Sequence, residues 1–419
     1  MTIQKPKGTQ DLLPDQLPVW QFIEQTARDV CRRFHYKEIR TPIFEHTELF
    51  QRGVGETTDI VEKEMYTFLD KGNRSISLRP EGTAGVVRAY LENKLYAEPE
   101  VCKLFYTGPM FRFERPQAGR SRQFHQFGVE VFGSNDPALD AEVIALGLMI
   151  YQELGLRGVR VEINSVGNAA VRAAYRQKLL DFLEPMKDRL CNDCRSRMQR
   201  NPLRVLDCKV DQDKFDGAPE ILDALDEECS THFEAVKEHL TRMGIPFVVN
   251  PRLVRGLDYY THTAFEYKAE GIGAIDTIGG GGRYNGLVSQ FDPNVNQPGI
   301  GFGLGMERIA LVMEAQGCPI PRHDRLDVFV IGMGEEAERE TTGLVYRLRA
   351  AGIAAERDYL GRKMKAQLKA ADRLEARFVA ILGDEELAAG EITVKTMATG
   401  EQIRVPLTDF IEWIRRQDQ

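Results

Sequence analysis

Alternate glycines in Gly299-Ile-Gly301-Phe-Gly303-Leu-Gly305-Met-Glu-Arg308 constrain this chain more than any other feature. In a strand they strip one face of side chains, so that another backbone or a flat ligand such as adenine can come close. The run has a counterpart far upstream in Val101-Cys-Lys-Leu-Phe-Tyr-Thr-Gly-Pro-Met-Phe-Arg112, followed by Arg115, Arg120 and Arg122 and then by Gln123-Phe-His-Gln-Phe-Gly-Val-Glu-Val-Phe132. The order strand, basic loop, strand predicts an antiparallel hairpin with cations at its tip. Each segment ends a strand with an arginine, and two guanidinium forks on rigid strands suit a triphosphate. The competing reading is a glycine-lined core strand that merely packs on a neighbour.

Neither glycine run fits a dinucleotide fingerprint. Counting Gly-x-Gly-x-x-Gly from Gly299, Gly301 or Gly303, the last position falls on Leu304, Met306 or Arg308. The run from Gly279 to Gly286 fails in the same way, and no Gly-Lys-Ser/Thr is present for a P-loop.

A chain of 419 residues has room for two or three domains. No apolar run is long enough to span a bilayer, and the first residues carry no signal-peptide stretch, so the expected location is cytoplasmic, without membrane contact. A net charge of −8 argues against indiscriminate coating of nucleic acid. Local patches decide affinity, however, and Arg112, Arg115, Arg120 and Arg122 face only Glu114 in their segment. Seven cysteines in a chain this long do not make a disulfide scaffold. Cys191 and Cys194 have zinc-ligand spacing, and Cys208, Cys229 or His232 could complete a tetrahedron; the alternative is reduced thiols in a helical segment.

Apolar residues from Val19 to Phe34 form a helical stripe, followed by a short strand at Tyr36–Arg40. Asp136-Pro137 starts a helix that runs to about Leu154. A helical, charge-rich insertion is expected over about 168–245, and strands resume at Phe247, at Phe265 and from Ala274 to Ile278, the last ending in the Gly279–Gly282 run. A boundary near 317–324 separates residues 1–325 from a small α/β domain over 326–419. There, Arg362, Lys365, Lys369 and Arg373 share one helical face, opposite Met364, Leu368, Ala371 and Leu374.

Phe111-Arg112-Phe-Glu114 with its basic loop resembles motif 2 of the class II aminoacyl-tRNA synthetases, and Gly301–Arg308 resembles motif 3. The first helix, the strand after it and Pro42 resemble motif 1, which in that family builds the dimer interface. Arg79-Pro-Glu81-Gly-Thr83 is similar to the loop that holds the substrate ammonium in the His/Thr/Pro branch. Leu253–Tyr260 and Gly280–Leu287 are similar to the two histidine signatures of histidyl-tRNA synthetases, and the likeness spans essentially the whole chain.

The resemblance implies an α/β protein. Its catalytic domain would be α+β, with a mainly antiparallel sheet flanked by helices and a helical insertion, and a small α/β anticodon-binding domain would follow. It implies activation of L-histidine by ATP, transfer to tRNA(His), Mg2+ on the phosphates and a homodimer. Arg112 and Arg308 would contact phosphates, with Arg255 as the catalytic cation; Glu114, Arg120 and Phe124 would complete the ATP site. Glu81, Thr83 and Gln126 would hold the ammonium, and Glu130 and Tyr260 the imidazole nitrogens, with Tyr284 nearby. Tyr259 is the weaker member, because strand alternation turns it away from Tyr260. Arg115, Gln117 and Arg122 would meet the acceptor end of the tRNA, and Arg362, Lys365 and Lys369 its backbone. The rival from another class is a non-catalytic, histidine-sensing regulatory subunit of ATP phosphoribosyltransferase, which shares the fold.

Overall fold

The structure, a computed structural model, describes residues 2–55, 58–206, 208, 210–270, 276–321 and 325–417. The first residues of the strand expected from Ala274 and the boundary residues Arg322–Asp324 lie outside these. The chain forms two compact units, Met1–Ile320 and Pro321–Gln419.

The first unit is organised by an eight-stranded sheet. Its order is Lys37–Glu38, Cys102–Phe111, Gln123–Phe132, Gly299–Gly305, Thr277–Arg283, Thr261–Lys268, Arg160–Ser165 and Phe247–Val249. All inner pairings are antiparallel; only the two edge strands pair in parallel. The expected hairpin is present, with Cys102 opposite Phe132 and Phe111 opposite Gln123. The run Gly279–Gly282 does not follow a strand, as expected, but lies within one. Gly280 and Gly282 pair with Gly303 and Gly301 next door, and that close approach removes the usual objection to glycine in a strand.

Alternation gives the sheet two unlike faces. On one, Phe127, Val129, Val131, Ile300, Phe302, Leu304 and Ile278 join the main core. The helices Leu17–Arg33, Pro137–Glu153, Glu227–Arg242 and Met306–Gln316 contribute to the same core. The apolar stripe of the first helix is therefore spent inside the chain, with Trp20, Ile23, Ala27, Val30 and Cys31 buried. Asp136 caps the second of these helices, its Oδ1 accepting from the Ala138 N–H at 2.9 Å, with Pro137 in the first turn. The helix Glu227–Arg242 falls within the stretch expected as an insertion, yet Phe233, Val236 and Leu240 pack into the main core. The earlier helices Ala169–Leu183 and Asn192–Arg200 pack instead against the other side, with Leu253, Tyr259, Tyr260 and Tyr284.

The second unit has a five-stranded sheet in the order Ala355–Arg357, Val328–Met333, Phe378–Gly383, Glu391–Thr396, Gln402–Pro406, parallel in its first three strands and antiparallel in the rest. Helices cover it, making the small α/β unit expected. No helix of the described residues is long and apolar enough to cross a membrane.

A buried ion pair fixes the Thr277–Arg283 strand to the helix Pro137–Glu153. Arg283 and Asp140 are both fully buried, joined through Arg283 Nε to Asp140 Oδ1 and Oδ2 at 3.0 and 2.8 Å. Further Arg283 N–H groups donate to the Ser134 and Asp136 carbonyls, and His232 Nε2 lies 3.2 Å from Asp140 Oδ1. Asp140→Ala would leave a guanidinium buried without its counter-charge. We expect a loss of about 3–5 kcal/mol in urea unfolding, against less than about 1 kcal/mol if the pair were dispensable.

Candidate active site

The face opposite the main core carries the site. Register makes it a floor of glycine: Gly301 pairs with Glu130 and Gly282, Gly303 with Gly128 and Gly280, and Gly305 with Gln126. Along this face the two central strands offer no side chain, so a cleft opens there. It runs from Glu81 and Glu130 at one end to Arg112, Arg120 and Arg308 at the other, so one cavity is lined by both acidic and basic groups.

Glu130 lies at the closed end, 1% exposed. Its Oε1 accepts from Thr83 Oγ1 at 2.7 Å and Tyr106 OH at 3.2 Å, and its Oε2 accepts from Tyr284 OH. A Cβ on Gly301 would sit 2.1 Å from Glu130 Oε2 and 2.2 Å from the Val129 carbonyl oxygen, so only glycine leaves the carboxylate its place. Burial pushes the Glu130 carboxyl up to about 8, against the pull of its hydroxyl donors. Glu81 is close enough to raise it further, and its own carboxyl is raised by burial. Glu81 caps the helix Thr83–Glu92, accepting from the Thr83 and Ala84 N–H groups at 2.7 and 2.9 Å. Glu81 and Thr83 thus line the closed end, with the Thr83 hydroxyl committed to Glu130.

The open end is cationic. Arg112 donates from Nε to the Pro80 carbonyl at 2.8 Å and stands over the Phe124 ring at 5.2 Å. Arg308 lies in the first turn of the helix Met306–Gln316 rather than on a strand. It donates to the Thr277 carbonyl at 2.6 Å and to the Gly119 carbonyl at 3.3 Å. Gly119 belongs to the tip of the hairpin loop, so the two arginine-bearing segments meet. Burial lowers the Arg308 guanidinium from its ordinary value, and the like charges of Arg120 and Arg112 lower it further. Arg120 reaches Glu114 at 3.4 Å. Such crowded cations await a polyanion. Arg255 pairs with Glu266 and lies 6.0 Å from the Tyr260 ring centre, while its buried Nε has no partner.

Of the residues expected from sequence, Glu81, Thr83, Gln126, Glu130, Tyr259, Tyr260, Tyr284, Arg112, Glu114, Arg120, Phe124, Arg255 and Arg308 all line this one cleft. The placement of Tyr259 corrects the alternation argument. Residues 259 and 260 precede the strand Thr261–Lys268, in a turn where period two does not apply. Both are buried, their ring centres 4.7 Å apart.

Arg115 and Gln117 are exposed, whereas Arg122 is held over Phe113 at 3.7 Å. In the second unit Lys365 and Lys369 are exposed, but Arg362 precedes the helix Met364–Arg373 and is paired with Asp358. Leu374 is 47% exposed and does not join the apolar side. His232 joins Asp140, not the cysteines.

Sequence reasoning missed Tyr106, Thr277 and Glu307. Tyr106 pairs across the hairpin with Gly128 and wedges its ring where a Cβ on Gly82 or Gly128 would sit. A large aromatic in register with glycine was the available signal. Glu307 accepts from the His125 N–H at 2.9 Å and holds the helix start to the hairpin.

This fold and site define a class II aminoacyl-tRNA synthetase. A histidyl-tRNA synthetase family model matches residues 8–309, and an anticodon binding domain model matches 327–417. Histidine–tRNA ligases of Geobacillus thermodenitrificans and Anoxybacillus flavithermus are 58% and 57% identical, over 99% of this chain and 98% and 99% of their own. The apo histidyl-tRNA synthetase of S. aureus superposes with a TM-score of 0.85 at 45% identity, covering 99% of this chain and 100% of its own. A Bacillus halodurans structure described as an ATP phosphoribosyltransferase regulatory subunit/histidyl-tRNA synthetase shares the fold, with a TM-score of 0.63 at 21% identity over 91% of this chain and 99% of its own. The chain belongs to the histidyl-tRNA synthetase family, and its activity is that of a histidine–tRNA ligase using ATP.

The glycine floor is testable by position. A Cβ at Gly303 would meet nothing nearer than Gln126 Nε2 at 3.3 Å. Gly303→Ala should therefore fold with a melting temperature near that of the parent, whereas Gly301→Ala should lose about 1–3 kcal/mol or more by overpacking. Equal tolerance at both positions would contradict the geometry.

Proposed function

We propose that the cleft binds histidine at its carboxylate end and ATP at its arginine end, so that the amino acid's carboxylate meets the α-phosphorus between them. The carrying observation is this division of charge within one cavity. Glu130 would accept from one imidazole nitrogen, with Tyr260 serving the other and Tyr284 and Thr83 fixing the carboxylate. A buried site that pairs both nitrogens rejects side chains that would leave those groups stranded. Glu81 and Gln126 would take the ammonium, with Tyr259 beside them.

Arg112 and Arg308 would grip the α- and γ-phosphates, with Arg120 and Phe124 around the nucleotide and the bare glycine floor beneath it. Arg255 would stabilise charge building on the α-phosphate; its buried, unpartnered Nε is the support for that role. Mg2+ fits as a passenger of the phosphates, with Glu114 as a protein ligand, since that carboxylate lines the cleft and makes only long contacts to Arg112 and Arg120. The ion would neutralise phosphate charge. Positioning and preorganised charge supply the rest, because nucleotidyl transfer asks little covalent chemistry of the protein.

For tRNA(His), Arg115 and Gln117 on the exposed loop would meet the acceptor end, with Arg122 bracing the loop from Phe113. Lys365 and Lys369 would contact the backbone, with Arg362 supporting them through Asp358. The division into a catalytic unit with its helical insertion and an anticodon-binding unit follows this reading. A homodimer is favoured by Ile43, Phe44, Phe68 and Leu69, which stand exposed around the small sheet Phe44–His46, Ser75–Leu78, Thr67–Leu69. A cytoplasmic location follows from the reaction. The regulatory-subunit alternative is disfavoured by the intact arginine end.

Histidine-dependent ATP–pyrophosphate exchange tests the assignment. Arg255→Ala should lower exchange by about 10²- to 10³-fold while histidine still binds. Histidine binding without exchange in the unmodified protein would favour the regulatory alternative, and full exchange in the variant would remove Arg255 from the chemistry.

A further inference from the structure

Four metal-binding side chains converge on the side of the first unit away from the main core. The sulfurs of Cys191, Cys194 and Cys208 and a carboxylate oxygen of Asp211 all lie within 4.8 Å of one another. Cys191 Sγ and Cys208 Sγ are 3.8 Å apart, the edge of a tetrahedron whose zinc–sulfur bonds are about 2.3 Å. We infer that Cys191, Cys194, Cys208 and Asp211 form a closed, structural zinc site.

The donors come in two halves of equal spacing, Cys191-x-x-Cys194 and Cys208-x-x-Asp211. Each half turns backbone N–H groups toward sulfur. Cys191 caps the helix Asn192–Arg200, its Sγ accepting from the Cys194 N–H at 3.4 Å. In the second half, the Asp211 and Val210 N–H groups are turned toward the Cys208 sulfur. Asp211 is 1% exposed. It accepts from the Cys191 N–H at 2.8 Å and from Lys214 Nζ at 2.7 Å, which fixes its orientation and offsets part of the ligands' charge. One ammonium and one backbone N–H partner the carboxylate; beside three thiols it adds an oxygen donor, and a divalent cation would be held by all four groups.

The ion would tie the start of the helix Asn192–Arg200 to the turn at Cys208. From the far end of that helix Arg200 pairs with Glu62, and Arg204 reaches Asp59 at 3.3 Å. Asn201 Nδ2 donates to Asp258 Oδ1 at 2.7 Å, next to Tyr259. Metal loss would then loosen one wall of the histidine pocket; this consequence rests on the proposed substrate site, whereas the ion itself does not.

The test is metal analysis of the full-length protein, purified without metal-affinity resin or chelator. About one zinc per chain is expected, and reduced, metal-stripped protein titrated with Co2+ should give thiolate charge-transfer and the intense visible bands of a tetrahedral site. Cys194→Ser should abolish both. Because that buried position can affect folding, Asp211→Asn serves as a second variant, with affinity lowered at least about tenfold and an altered cobalt spectrum, while Cys318→Ser keeps full zinc. No thiolate–cobalt spectrum in the reduced parent, zinc retained in Cys194→Ser, or a metal-free protein with a Cys191–Cys208 disulfide would overturn the site. Raised Kd for histidine on zinc removal, with unchanged ATP–pyrophosphate exchange at saturating histidine, is expected of the positioning role; an unchanged Kd would remove that role and leave the ion.

Discussion

The buried carboxylate of Glu130 is the constraint around which the rest of the catalytic unit is arranged. A carboxyl in that position is tolerable only with hydroxyl donors on both oxygens, and Thr83, Tyr106 and Tyr284 supply them from three separate elements. It also needs space, which explains Gly301 directly across the strand pair. Clearing that position carries a cost in backbone entropy, offset by backbone pairing on both sides of the glycine strand. The Arg283–Asp140 pair then anchors the neighbouring glycine strand to a core helix. One polar group thus accounts for a glycine register and a collar of hydroxyl donors.

Charge within the cleft is sorted along its length. Glu81 and burial raise the proton affinity of Glu130 at one end, where burial also raises that of Glu81, and Arg112, Arg120 and Arg308 crowd at the other. Neither end is at ease without a ligand. In the proposed arrangement a zwitterionic amino acid with a basic side chain would relieve the first and a polyphosphate the second, and the stabilisation would be reserved for the charge that develops between them.

Much of this was legible in sequence because strands report their faces by alternation. Gly301, Gly303 and Gly305 announced a bare face, and Arg112 marked the end of the antiparallel hairpin that the structure contains. What escaped did so for physical reasons. Tyr259 and Tyr260 sit in a turn, where period-two reasoning fails. Gly279–Gly282 looked like a strand end because glycine is costly in strands, yet cross-strand packing between glycines overrides that preference. Asp211 was invisible beside the cysteines because a lone aspartate carries no pattern until folding places it. The helix Glu227–Arg242 resembled the rest of the charge-rich stretch, and only its buried Phe233, Val236 and Leu240 assign it to the main core.

Histidine binding measured by calorimetry across pH, beside Glu130→Gln, tests the central role of Glu130 most directly. Its carboxyl is raised from 4.5 to about 8 in the ligand-free fold, so the native chain holds a proton that the unfolded chain releases. That favours folding in acid, and the advantage is lost as pH rises between those two values. An imidazole N–H is held more strongly by the ionised form, which makes a charge-assisted hydrogen bond. Affinity should therefore strengthen from about pH 7 to about pH 8.5, with proton release into the buffer, and Glu130→Gln should bind more weakly with that pH dependence flattened. Unchanged affinity and an unchanged pH profile in the variant would show that histidine is recognised elsewhere.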